Sequence, residues 1–177
     1  MTQRPISIEP LTAEAAVSYG WMLGKPCSSE DTVSAFMSPG SDFWQEHVFD
    51  AGSQGQPEVL WVTYRVSDPV IAKLEVHHLT QQAVVPLVGG IVQLVAASDA
   101  AGNPDLATAR AFALTPGIGI CMKPGIWHAT RTMDAGESTC LMLTRRSTTV
   151  DLVSHLVRKA PAAESRLVEI APFRLQQ

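Results

Sequence analysis

From Phe43 onward the chain alternates short apolar runs with turn signals, at a spacing that helices do not produce. Val59 to Val66, Ile71 to His77, Ala83 to Leu87 and Ile91 to Ala97 are such runs. So are Ala109 to Leu114, Gly119 to Met122, Ala129 to Met133, Thr139 to Thr144 and the shorter Glu46 to Phe49. Between them stand AGSQGQP, SDP, LVGG, SDAAGNPD, TPG, KPG and DAGES, each with Gly, Pro, Asn or Asp at turn positions. Nine short strands at roughly 8 to 12 residue spacing, with no long helical period between them, predict an all-β antiparallel sandwich or barrel.

The flanks read differently. Ile6 to Ile8 is strand-like, Pro10 ends it, and Thr12 stands where an N-cap precedes a short helix from Ala13, with Gly20 as its expected C-cap. Residues 24–42 are rich in Gly, Pro, Ser and Asp and read mostly as loop. Val150 to Lys159 carries Val150, Leu152, Val153, Leu156 and Val157 at helical spacing and ends in Arg158-Lys159, as a helix C-terminus prefers. Ala160 to Ala163 is a linker, and Leu167 to Ile170 predicts a last edge strand. No repeat or composition break divides residues 1–177, so one domain is expected.

Composition narrows the partners. Of 177 residues only 17% are charged, and 13 Lys+Arg against 17 Asp+Glu leave a net charge of −4. Mild acidity argues against nucleic acid or an anionic membrane, which need clustered Lys/Arg. The uncharged stretch Gln81 to Ser98 is interrupted by Gln, Pro and Gly and is no membrane span. The first residues lack a basic start followed by an apolar run, so no signal peptide is expected. Cys27, Cys121 and Cys140 fit neither a disulfide framework nor a zinc site, which points to a reducing cytoplasm. So few charges in a small chain imply a large buried sheet or a buried subunit interface.

Polar residues inside such a barrel stand out. In the run Glu75-Val76-His77-His78, Glu75 and His77 lie two apart on a strand and share a face, and Gln82 returns to it from the next strand. His78 points the other way, and His47 and His155 have no ionisable companions and read as surface residues. In Lys123-Pro124-Gly125-Ile126-Trp127-His128 a tight Pro-Gly turn delivers His128 to a strand start. Glu75, His77, Gln82 and His128 aimed into one mouth can hold a divalent metal, since imidazole with carboxylate suits Ni, Zn, Mn or Fe. They can equally bind a small polar substrate without metal. Lys123 can hold a carboxylate or act as an acid. Among the arginines beside strands, Arg65 and Arg110 are candidate carboxylate clamps, because the bidentate fork suits that group.

This layout is similar to that of cupins, which carry a first motif like H-x-H-x4-E and a second like P-G-x-x-H. More specifically, the chain resembles the ureidoglycolate lyase family. Ile8-Glu9-Pro10-Leu11-Thr12-Ala13-Glu14-Ala15 leading to Tyr19-Gly20 resembles the family start. Leu74-Glu75-Val76-His77 with Gln82-Ala83-Val84-Val85-Pro86-Leu87 resembles its central signature. Pro104-Asp105-Leu106, Arg110-Ala111-Phe112 and the run Pro116 to His128 follow in the same order. The sequence departs from the pattern at Val76, Met122 and Lys123, where the family has Arg, Tyr and His. The resemblance implies a cupin-like β-barrel, a homodimer, and cleavage of ureidoglycolate into glyoxylate and urea in allantoin breakdown, with nickel required by some members. It also implies His77 and His128 as metal ligands or acid/base groups, Glu75 and Gln82 ligating or orienting, and Lys123 on the substrate carboxylate. Two other readings stay open: another cupin enzyme for a small hydroxy or keto acid, and a non-catalytic small-acid-binding barrel.

Overall fold

The computed structural model describes residues 3–27 and 35–177. Its strands, in chain order, are β1 (Arg4–Pro10), β2 (Gly20–Leu23), β3 (Ala35–Met37), β4 (Asp42–Trp44), β5 (Pro57–Tyr64), β6 (Val70–His77) and β7 (Gln82–Val88). There follow β8 (Ile91–Ala96), β9 (Arg110–Leu114), β10 (Gly119–Met122), β11 (Trp127–Thr132), β12 (Ser138–Arg145) and β13 (Ser165–Gln176). The helices are α1 (Ala13–Ala16) and α2 (Arg146–Arg158). Six strands close on themselves in the order β1-β13-β6-β11-β8-β9, and β2-β10-β7-β12-β5 form a second sheet. β1 runs parallel to both β13 and β9, while the remaining neighbours are antiparallel. This is a cupin-like β-barrel.

Strand alternation sorts the side chains into two cores. Along β8, Val92, Leu94 and Ala96 pack inside the ring with Leu74, Val76, Trp127 and Phe173. Ile91 and Val95 face the second sheet instead, with Phe112, Ile120, Met122 and Met142. Truncating a fully buried member such as Trp127 or Phe112 to Ala costs about 3–5 kcal/mol. A polar residue between apolar neighbours on β6 or β11 therefore projects into the space between the ring and the second sheet, where the site lies.

Four local expectations need correction. Gly20 is no helix cap. It opens β2, and a Cβ there would lie 2.0 Å from the Cys121 carbonyl oxygen, so only glycine lets β2 approach β10. Glu46 to Phe49 is not a strand. Its side chains fasten it instead, with the Glu46 carboxylate accepting from Lys25 Nζ and Trp44 Nε1, each at 2.9 Å. Part of the expected loop 24–42 is the hairpin β3–β4, while residues 28–34 lie outside the described residues. The last strand is much longer than Leu167 to Ile170. It was hidden because its register shifts between Glu169 and Phe173, around Pro172, which has no N–H for the ladder.

α2 starts earlier than its apolar period, at the polar run Arg146 to Thr149, and is held from outside. Thr148 Oγ1 and Ser147 Oγ donate to Glu164 Oε2 at 2.6 and 3.0 Å, and Asp151 accepts from the Ala163 and Glu164 amides. Lys159 closes the helix in the left-handed conformation with φ 58°. Pinned in this way, α2 lies across the open end of the space between the sheets.

Candidate active site

Glu75 and His77 end β6, and His128 pairs directly with Glu75 from β11. The two segments are tied by the Pro-Gly turn. Gly125 takes φ 82°, the left-handed conformation required after Pro in a type II turn, and its amide donates to the His77 carbonyl at 2.8 Å. One ligand atom from each of Glu75, His77 and His128 lies within 4.8 Å of the others. The imidazole centroids are 5.2 Å apart.

Each histidine is held by one nitrogen and leaves the other open. His128 Nδ1 lies 3.0 Å from the Ile126 carbonyl. A carbonyl only accepts, so Nδ1 carries the hydrogen, and in the neutral ring Nε2 presents a lone pair. His77 Nδ1 is 2.9 Å from Ser165 Oγ on β13. Both Nε2 atoms are buried and lack a hydrogen-bond partner among the described residues. His128 Nε2 stands 3.3 Å from Glu75 Oε1. A lone pair facing a carboxylate at that distance calls for a cation between them, either a proton on the ring or a metal ion. Two imidazoles and a carboxylate, each imidazole braced through its far nitrogen, fit a first-row divalent ion.

The electrostatics agree. Burial, reinforced by the His128 charge, pushes the His77 imidazole down to about 4, so it stays neutral at physiological pH. Burial raises the Glu75 carboxyl, but the contact with His128 and the charges of both histidines outweigh it and hold the group below its ordinary range. Tyr64 is driven far above the usual phenol range, chiefly by burial, and remains a neutral O–H donor beside Glu75.

Glu75, His77 and Gln82 line a cavity of about 330 Å³ between the ring and the second sheet, roofed by α2. Tyr64 and Thr144 also line it. Thr144 is 2% exposed, and its hydroxyl has no partner among the described residues. It lies opposite Glu58 of β5, whose Oε1 is likewise buried and unpartnered. On the other side of Glu75, a shallower depression is bordered by His128, Thr130, Tyr64 and Lys73.

The structure therefore brings four expected residues together, Glu75, His77, Gln82 and His128, and leaves three elsewhere. Lys123 Nζ donates to the Val17 carbonyl at the surface and lies over the Trp21 ring. Arg110 forms a fork with the Glu9 carboxylate at 2.6 Å for both bonds. Arg65 is exposed and pairs with Glu137 at 2.6 Å. Strand parity explains Arg65: Leu60, Val62 and Tyr64 face the cavity, so the next residue faces water. The same parity was the available signal for Tyr64. Thr144 gave none, since nothing in a sequence marks an unpartnered hydroxyl. Of the departures from the family pattern, Val76 is buried on the opposite face from Glu75 and His77, and Met122 packs in the core facing the second sheet. His47 is half-buried rather than at the surface, stacked on Trp21 with Nε2 2.8 Å from Gln81 Oε1. Burial pushes the Cys121 and Cys140 thiols up to about 12 and 11, so neither is a thiolate at neutral pH.

A cupin-like barrel with a carboxylate and two open imidazoles between its sheets defines the class. Within it, the ureidoglycolate lyase family model matches residues 3–163, and the chain belongs to that family. A ureidoglycolate lyase of Rhodobacter capsulatus is 29% identical over 123 residues, covering 70% of this chain and 75% of the relative. Among solved structures, a dTDP sugar isomerase of Desulfovibrio desulfuricans aligns at 12% identity with a TM-score of 0.45, covering 76% of this chain and 78% of its own. A variant of Bacillus subtilis oxalate decarboxylase aligns at 14% identity and TM-score 0.38, covering 81% and 46%.

Proposed function

We propose that this protein is a ureidoglycolate lyase of the amidine-lyase type, releasing glyoxylate and urea. The observation that carries the reading is the pair of buried, unpartnered Nε2 atoms converging with Glu75, in a chain of this family. In the reaction the bond from the carbinol carbon to the ureido nitrogen breaks. The hydroxyl loses its proton as the carbonyl forms, and the leaving nitrogen gains one.

Glu75, His77 and His128 are the residues that would hold a divalent ion, nickel by family association. When bound, such an ion supplies positive charge for the substrate carboxylate and lowers the hydroxyl pKa. The need for that charge follows from the walls, since no Lys or Arg lines the cavity among the described residues. Ser165 and the Ile126 carbonyl fix the two rings so that their Nε2 atoms stay aimed at one point. Gln82 and the free Thr144 hydroxyl receive the ureido group, and the Tyr64 O–H orients an oxygen beside Glu75.

We place the reaction in allantoin breakdown in the cytoplasm, by a homodimer of single-domain chains. Exposed Val59 and Trp61 on the outer face of β5 support a second copy docking there, and no helix among the described residues is long and apolar enough to cross a membrane. The test is urea and glyoxylate release from ureidoglycolate, with metal-stripped protein and after adding nickel, manganese or zinc. Release above the spontaneous rate is expected in at least one metal-loaded sample, and no release in any of them overturns the proposal. Light scattering of the purified protein checks the dimer.

A further inference from the structure

Ureidoglycolate is small and polar throughout, and the cavity beside Glu75 and His77 is larger and carries an apolar stretch of wall. At about 330 Å³ it falls in the range of pockets that enclose drug-sized ligands, ~300–1,000 Å³. Its polar side chains are Glu75, His77, Gln82, Tyr64 and Thr144 from the strands, with Thr149 and with Thr148, whose hydroxyl is given to Glu164, from α2. The rest of the wall is hydrocarbon. Leu60 and Val62 come from β5, Met142 from β12, and Leu152, Val153 and Leu156 from the underside of α2. Val153 and Leu156 remain 52% and 50% exposed, so the compartment opens to solvent at the helix. The apolar stretch of this wall gains nothing from a ureido group, which would give up water for it.

We infer that the apolar compartment under α2 takes a hydrocarbon substituent, so that the preferred substrate is a hydroxy-ureido acid of the ureidoglycolate type carrying an alkyl group. The inference rests on the proposed lyase reaction. The acid and hydroxyl end lies at Glu75, His77 and His128, the ureido group lies along Gln82 and Thr144, and the alkyl group lies under α2. The chemistry is unchanged. The same carbon–nitrogen bond breaks, the hydroxyl proton is lost, and the leaving nitrogen is protonated. An alkyl group on the distal urea nitrogen gives glyoxylate and an alkylurea. One on the carbinol carbon gives urea and a 2-oxo acid.

Two assays on the metal-loaded protein test this. In the first, kcat/KM is measured for ureidoglycolate, for its N′-propyl derivative and for the adduct of urea with 2-oxopentanoate. Each methylene buried is worth about fourfold, so at least one propyl substrate is expected to exceed the parent tenfold or more. Leu152→Asn should bring that ratio back toward one. In the second, calorimetry compares propylurea and 2-oxopentanoate with urea and glyoxylate. Tighter binding of a propyl ligand is expected, with a negative heat-capacity change that Leu152→Asn diminishes. Turnover of ureidoglycolate without any propyl advantage in rate or binding overturns the inference and leaves the lyase reading intact. Propyl-ligand binding without turnover of any substrate supports the compartment and overturns the lyase reading. A compartment closed to all these ligands by a second copy of the chain overturns the inference.

Discussion

Two clusters of polar residues in this protein have similar composition and opposite finish. Around Arg110 every group is answered. Its guanidinium forks onto Glu9 and donates to the Ala15 carbonyl, the Tyr19 hydroxyl donates to the Thr108 carbonyl, and Lys123 Nζ donates to the Val17 carbonyl. Beside Glu75 the opposite holds, for the Nε2 atoms of His77 and His128 are buried without a hydrogen bond, and along the same cavity the Thr144 hydroxyl is unpartnered too. A buried unsatisfied polar group costs about 1–3 kcal/mol. A fold that keeps two of them beside one carboxylate, while satisfying a richer cluster elsewhere, keeps them for something that arrives from outside. Charged residue type alone does not mark the site; unspent bonding capacity gathered around a carboxylate does, whereas the unpartnered Trp127 indole N–H stands alone in the apolar core.

The strongest way to break this contrast is to remove one open nitrogen. His128→Ala is expected to lower urea release by about a thousandfold, in line with the loss of a metal ligand or acid/base group. Bound divalent metal, read by elemental analysis, should fall with it. Activity within tenfold of the parent would detach the cluster from the chemistry.

Acid should unload the same cluster. The His77 imidazole is neutral when folded, with its value near 4, against about 6.5 in the unfolded chain. Between these values the unfolded state binds more protons, so stability is full above about pH 6.5 and is lost as pH falls toward 4. The lowered Glu75 carboxyl acts in the same direction, because its contribution disappears as the pH falls through its folded value. Metal must leave over the same window, since protons compete for the ligand atoms. The urea-unfolding midpoint should therefore fall steadily from pH 7 to pH 4.5, and His77→Gln should flatten the curve. An unchanged slope in that variant would mean that another group governs the acid limb.

Much of the barrel was legible because burial of one strand face imposes a period of two, and turns need Gly, Pro, Asn or Asp. That logic located the strands from β5 to β12 within a residue or two and put Glu75 and His77 on one face. It could not see β13 past Pro172, where the ladder is interrupted, nor the polar first turn of α2, whose hydrogen bonds go to Glu164, far along the chain. The site was legible where two residues of one strand sufficed, and His128 entered through its turn. It was misread where the sign of a charge stood in for geometry. Arg65, Arg110 and Lys123 are the right chemical types, but each already has its partner in a neighbouring loop or strand. Which atoms remain unpartnered depends on every neighbour at once, and no local pattern encodes it.

Thr144→Val probes the contrast more gently. The substitution keeps the shape and deletes an unbonded hydroxyl, so the protein should be as stable as the parent or slightly more so. If that hydroxyl serves the ureido group, KM should rise about three- to tenfold with kcat nearly kept, as loss of one neutral hydrogen bond implies. A stable variant with unaltered KM would turn the orphan hydroxyl into a mere packing accident.

The smallest effects belong to the satisfied cluster. Arg110→Gln removes a fork whose partners are each more than a third exposed, so its loss should lower stability by no more than about 1 kcal/mol. Lys123→Ala should do less still, because its one hydrogen bond is to a carbonyl that water can serve instead. For both variants kcat/KM should stay within about twofold of the parent, since neither side chain borders the cavity. A tenfold rise in KM for Lys123→Ala would put this ammonium on the substrate carboxylate when substrate is bound. That requires α1 to release it from Val17, and the two clusters would then be halves of one site.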